Sequence, residues 1–84
     1  SPDGRDGSAT IRQDAEVYRL RLKAGERLEH ALRPGRGVWL QMIKGRATLD
    51  GVLVEEGDGA RTEQAGVRVV EAAAPTEALL FDLN

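Results

Sequence analysis

The chain has 84 residues, no cysteine, and 12 basic against 14 acidic side chains for a net charge of −2. A chain this short is one domain at most and buries only about 60–65% of its unfolded surface, so without a disulfide it must gain stability from sheet closure, a self-partner or a second domain. Dispersed arginines, three scattered aromatics (Tyr18, Trp39, Phe81) and no apolar run near the roughly 18 residues of a spanning helix exclude a nucleic-acid surface and a membrane segment.

Residues 1–14 begin with Ser1-Pro2-Asp3-Gly4, without methionine and without the layout of a signal peptide. They read as a linker or N-terminal arm of an excised or processed segment, and residues 15–84 read as the folded domain. A cysteine-free chain fits a reducing, cytoplasmic setting.

From Val17 the apolar period becomes two. Tyr18, Leu20 and Leu22 share one face, and the run stops at Lys23-Ala24-Gly25-Glu26. Leu28, His30 and Leu32 then alternate with Arg27, Glu29, Ala31 and Arg33 until Pro34-Gly35-Arg36-Gly37 breaks the chain, which assigns the single histidine to an apolar face. Val38 to Lys44 is apolar on both faces, as a strand covered on two sides would be; Val38, Leu40 and Met42 take one face, Trp39 and Ile43 the other. Arg46 to Leu49 and Val52 to Glu55 flank Asp50-Gly51, a strong two-residue hairpin signal. After Glu56-Gly57-Asp58-Gly59 come a short strand near Ala60 to Glu63, a strand over Val67 to Glu71, and a final strand over Ala78 to Leu83 with Leu79, Phe81 and Leu83 facing inward. No glycine-free window carries a helical stripe. The fold expected is all-β: a jelly-roll β-barrel of about seven to eight antiparallel strands.

Chemistry-bearing residues are few. One imidazole cannot supply the three or four converging ligands of a transition-metal site, and Glu29 points to the opposite strand face from His30. His30 itself reads as a satisfied, partly buried imidazole. The serines and threonines show no spacing that would place one against His30 and an orienting carboxylate, Glu55-Glu56 and Asp50/Asp58 are turn residues, and no phosphate-binding glycine motif occurs. Catalytic, cofactor and metal residues are therefore none. Trp39 with Ile43 would expose an apolar patch, covered either by an interdomain or intersubunit contact or by the arm near Ile11.

In combination, SPDGRDGS, IRQDAEVY, LEHALRPGRGVWLQMIKG, TLDG and LLFDL resemble the C-terminal cupin domain of pirin-like bicupins of the quercetinase type, over nearly the whole chain. The resemblance implies a small cupin barrel that follows a similar N-terminal cupin. In that N-terminal half three histidines and a glutamate would hold iron or another divalent metal and carry any quercetin 2,3-dioxygenase activity. Against that pattern this chain reads His30-Ala31-Leu32 where two histidines are wanted one residue apart. It has no later histidine, and no acid between Arg33 and Ile43. The implied role is a non-catalytic domain, not itself an enzyme, that holds no metal and partners the N-terminal cupin or a second copy. The alternatives are a metal-free barrel binding a flavonol-like or hydrophobic molecule through Leu28, His30, Leu32, Met42 and Phe81, or a contribution to the dioxygenase activity of the intact bicupin.

Overall fold

A computed structural model of the chain describes residues 15–84. Eight strands follow one another: β1 (Glu16–Leu22), β2 (Arg27–Leu32), β3 (Gly37–Lys44), β4 (Arg46–Leu49), β5 (Val52–Glu55), β6 (Gly59–Thr62), β7 (Gly66–Ala72) and β8 (Thr76–Leu83). They form two four-stranded antiparallel sheets, β1-β8-β3-β6 and β2-β7-β4-β5, called sheet 1 and sheet 2 below. The all-β roll read from the turn spacing is thus the fold, with no helix among the described residues. The N-terminal arm and its Ile11 lie outside them.

Turn chemistry sets the register of the first half. At the β4–β5 hairpin Asp50 and Gly51 both take positive φ, 49° and 85°, the conformation whose twist suits a two-residue hairpin, and Leu49 pairs with Val52. The Asp50 carboxylate also reaches across to β7, accepting from the Val69 amide at 2.8 Å and from Arg68 Nη1 at 3.1 Å, so the loop tip is tied into its own sheet. At Gly45, between β3 and β4, φ is +90° and a Cβ would sit 2.1 Å from the Pro75 carbonyl oxygen. Gly45→Ala is therefore expected to destabilise the domain by more than about 1 kcal/mol, seen as a lower urea midpoint with an unchanged slope.

Alternation then fills the space between the sheets. Leu20, Leu40, Met42 and Leu80 from sheet 1 meet Leu49 and Val70 from sheet 2. Burying each such side chain contributes about 1.5–3 kcal/mol, which is how a disulfide-free chain of this size can hold together. Faces read from β1, β2 and β3 agree with this core, including the inward set Val38, Leu40 and Met42.

β8 differs from the expectation by one residue of phase. Its buried face is Thr76, Ala78, Leu80 and Asp82, and Leu79, Phe81 and Leu83 are on the other side. Three consecutive apolar residues, Leu79-Leu80-Phe81, satisfy either phase. Counting apolar side chains favours the one that leaves Asp82 in water. The structure takes the other because Asp82 finds partners inside.

Candidate functional site

Period-two alternation and one tight turn bring three ionisable side chains to the same end of the roll. His30 projects from the inner face of β2 in sheet 2, Asp82 from the inner face of β8 in sheet 1, and Arg36 folds back from the turn ahead of β3. His30 Nε2 lies 2.7 Å from Asp82 Oδ2, a contact across the two sheets between residues 52 apart in sequence. Arg36 donates from Nε to Asp82 Oδ1 at 2.5 Å and from Nη2 to the Asp82 carbonyl oxygen at 3.0 Å. Asp82 is 1% exposed and Arg36 6%. The His30 ring also meets Tyr18 edge to face, with centroids 5.4 Å apart.

Burial alone would push the Asp82 carboxyl up; the hydrogen bonds from His30 and Arg36, with the guanidinium charge, outweigh it and hold the group below the ordinary carboxylate value. Ionised, the carboxylate can only accept, so His30 Nε2 carries the proton between them. Each carboxylate oxygen therefore has a donor, and both charges have a counter-charge. Such a closed cluster fixes how the sheets sit against each other.

The same geometry tests the divalent metal that the cupin resemblance brings with it. A first-row cation needs three or four converging nitrogen, oxygen or sulfur donors. Here one imidazole and one carboxylate converge, both oxygens of that carboxylate are engaged, and a buried guanidinium sits 2.5 Å from it, where it would repel a dication. Among the described residues no group of three or more His, Cys, Asp or Glu is placed to hold an ion. The residues present do not fit a metal.

The proposed pocket residues are distributed unevenly. Leu32 and Met42 are part of the packed core, Leu28 and His30 are partly buried at its margin, and Phe81 lies on the outer face of β8, away from the other four. Surface depressions of about 490, 440 and 300 Å³ include none of the five. Trp39, 37% exposed, lays its indole over Gly59, where a Cβ would come within 2.2 Å of the ring, and donates from Nε1 to Gln41 Oε1 at 3.2 Å. Ile43 is exposed at a β-bulge between Met42 and Lys44.

Asp82 and Arg36 were missed by the sequence reading. Arg36 is hidden by its Pro-Gly turn, a context that ordinarily means solvent. Asp82 does leave a trace: alternation counted from Thr76 rather than from Leu79 puts a lone acid on the apolar face, across the roll from a lone histidine. Arg68, opposite His30 in the β2–β7 register, is also drawn inward, donating to Asp50 Oδ2 and Gln64 Oε1 while its Nε is buried without a partner.

Comparison with known proteins gives a consistent picture. The family model described as the quercetinase C-terminal cupin domain matches residues 1–83. Quercetin 2,3-dioxygenase of Escherichia coli (strain K12) is 40% identical over 83 residues, which are 99% of this chain and 36% of that protein. Among solved structures, YhhW from Escherichia coli superposes with a TM-score of 0.83 at 38% identity, covering 95% of this chain and 34% of that one. A second structure, bacterial pirin YhhW in complex with nickel(II) from Escherichia coli, gives 0.82 at 38% identity over 94% and 34%. A designed double-stranded β-helix, at 20% identity and a TM-score of 0.62, shares the fold. The chain spans little more than a third of the length of the curated relatives it matches.

Proposed function

Because the chain belongs to the quercetinase C-terminal cupin domain family, we propose that it is the non-catalytic member of a two-cupin protein, a rigid scaffold for a metal-bearing N-terminal cupin that carries the quercetin-cleaving chemistry. One observation carries this reading. At the inward position of the only histidine, charge is balanced inside the chain by Arg36 and Asp82, so nothing is left to bind or polarise a substrate-bound ion. The relatives' length, roughly three times this chain, leaves room for the second domain, and the nickel(II) complex of a bacterial pirin supports a metal in such a protein, for which the described residues here offer no ligand set. The metal-free receptacle takes second place, since Leu32 and Met42 are spent in the core.

The test uses the two-domain protein. His30→Gln keeps a donor for Asp82 while removing the imidazole, and is expected to leave quercetin turnover per bound metal ion unchanged. Loss of turnover together with loss of a metal equivalent would assign this half a catalytic share and overturn the proposal.

A further inference from the structure

The two outer faces of the roll differ in how their apolar side chains are arranged. On sheet 1 the register sets Val17 opposite Phe81, Phe81 opposite Trp39 and Trp39 opposite Arg61, an apolar row that crosses three adjacent strands before meeting a charge. Leu79 and Leu83 extend it along β8, and Val17, Trp39 and Leu83 are exposed. On sheet 2 the corresponding row reads Arg27, Glu71, Thr48, Leu53, with Glu29 and the Arg46–Glu55 pair beside it; Val67 and Val69 of β7 and Leu53 of β5 also face outward, but Thr48 of β4 parts the two strands and none of the three is aromatic. Sheet 2 thus has small apolar groups broken up by polar and charged side chains, and sheet 1 has a continuous row containing two aromatic rings, the larger apolar surface to leave in water.

Resting on the two-cupin reading above, we infer that the outer face of sheet 1 is the seat of the N-terminal domain. Two further observations select that occupant. The relatives are matched over 36% of their length by what is a C-terminal family, so the remainder precedes this domain in the chain. That polypeptide leads into β1, the edge strand of sheet 1, whose Val17 begins the apolar row. Arg19 stands next to Val17 on this face, and among the described residues it has no ion-pair partner, while Arg21 is paired with Glu77. The occupant is therefore a surface that is apolar at its centre and sets a carboxylate against Arg19.

The chain has no cysteine, which permits a direct test. Val17 and Leu53 are equally open, 57% and 54% exposed, on the outer faces of sheet 1 and sheet 2. Val17→Cys and Leu53→Cys are made separately in this chain and in the two-domain protein, and alkylation by iodoacetamide is followed at each site by mass spectrometry. Both sites are expected to react at similar rates in this chain; in the two-domain protein Val17→Cys slows at least tenfold and Leu53→Cys does not. Protection of Leu53→Cys instead, or of neither site, overturns the inference. So does protection of Val17→Cys in this chain that grows with its concentration, which would identify a second copy as the occupant. Proteolysis ahead of β1 followed by gel filtration separates this failure from that of the two-cupin reading: halves that stay together with Val17→Cys reactive refute only the face, whereas halves that part refute both.

Discussion

Replacing Asp82 by alanine is expected to lower the thermal midpoint by more than about 10 °C, or to leave the chain unfolded at 25 °C. Removing one partner of a buried ion pair costs about 3–5 kcal/mol, and in a domain of this size each 1 kcal/mol moves the midpoint by about 4–8 °C. The effect is large because the change removes the buried acceptor shared by His30 Nε2 and Arg36 Nε. Asp82→Asn, which keeps shape and one acceptor, should fall between the two. The acid limb of the stability curve discriminates further. The folded carboxyl titrates below its ordinary value, so its contribution is complete above the unfolded pKa and is lost as pH falls from about 5 through the folded value. Wild type should lose more stability than Asp82→Asn over that interval, and the two curves should converge in acid. Parallel curves from pH 7 to pH 2 would show that the carboxylate is not held ionised by its neighbours.

Leu40→Ala is expected to cost about 3–4 kcal/mol, measured by urea unfolding with an unchanged slope. Leu40 is 0% exposed and lies between Leu80 of β8 and Ala60 of β6 in the register of sheet 1. Neighbours on both sides are strand backbone, so the cavity left by three lost carbons cannot close. The same truncation at Leu53, which is 54% exposed, should cost less than about 0.5 kcal/mol. Equal losses at the two positions would mean that the core is not where the alternation places it.

Most of the architecture was legible because it is written in short-range signals. Asp50-Gly51 dictated a two-residue hairpin, and the structure has one with both residues at positive φ. Alternation gave the correct inward faces in β1 and β2, where Arg19 and Arg21, and Arg27 and Glu29, fall on one side only, and in β3 through the unbroken set Val38, Leu40 and Met42. The last strand shows where such signals run out. Leu79-Leu80-Phe81 carries no phase information, and the phase was decided by a residue 52 positions away, His30, together with an arginine in a turn. Long-range ion pairing overrode local apolar counting. The cluster stayed hidden for the same reason: His30 was recognised as inward and in need of a partner, but neither Asp82 nor Arg36 has a local pattern that names it as that partner.

This has a consequence for how the cupin scaffold is used. Inside the roll a carboxylate and a guanidinium accompany the histidine; on the proposed reading the interior contributes rigidity and the surface for interaction is the outer face of sheet 1, where Val17, Phe81 and Trp39 align. Family membership by itself does not distinguish this division of labour from a second catalytic barrel. The ligand chemistry inside this chain favours the former, and its metal content tests it.

Elemental analysis of the purified 84-residue chain, equilibrated with nickel(II) or iron(II) and then desalted, examines that chemistry directly. Well under one metal ion per chain is expected, with the same residual value for His30→Gln. One ion per chain that disappears in His30→Gln would show that the imidazole serves a metal rather than Asp82.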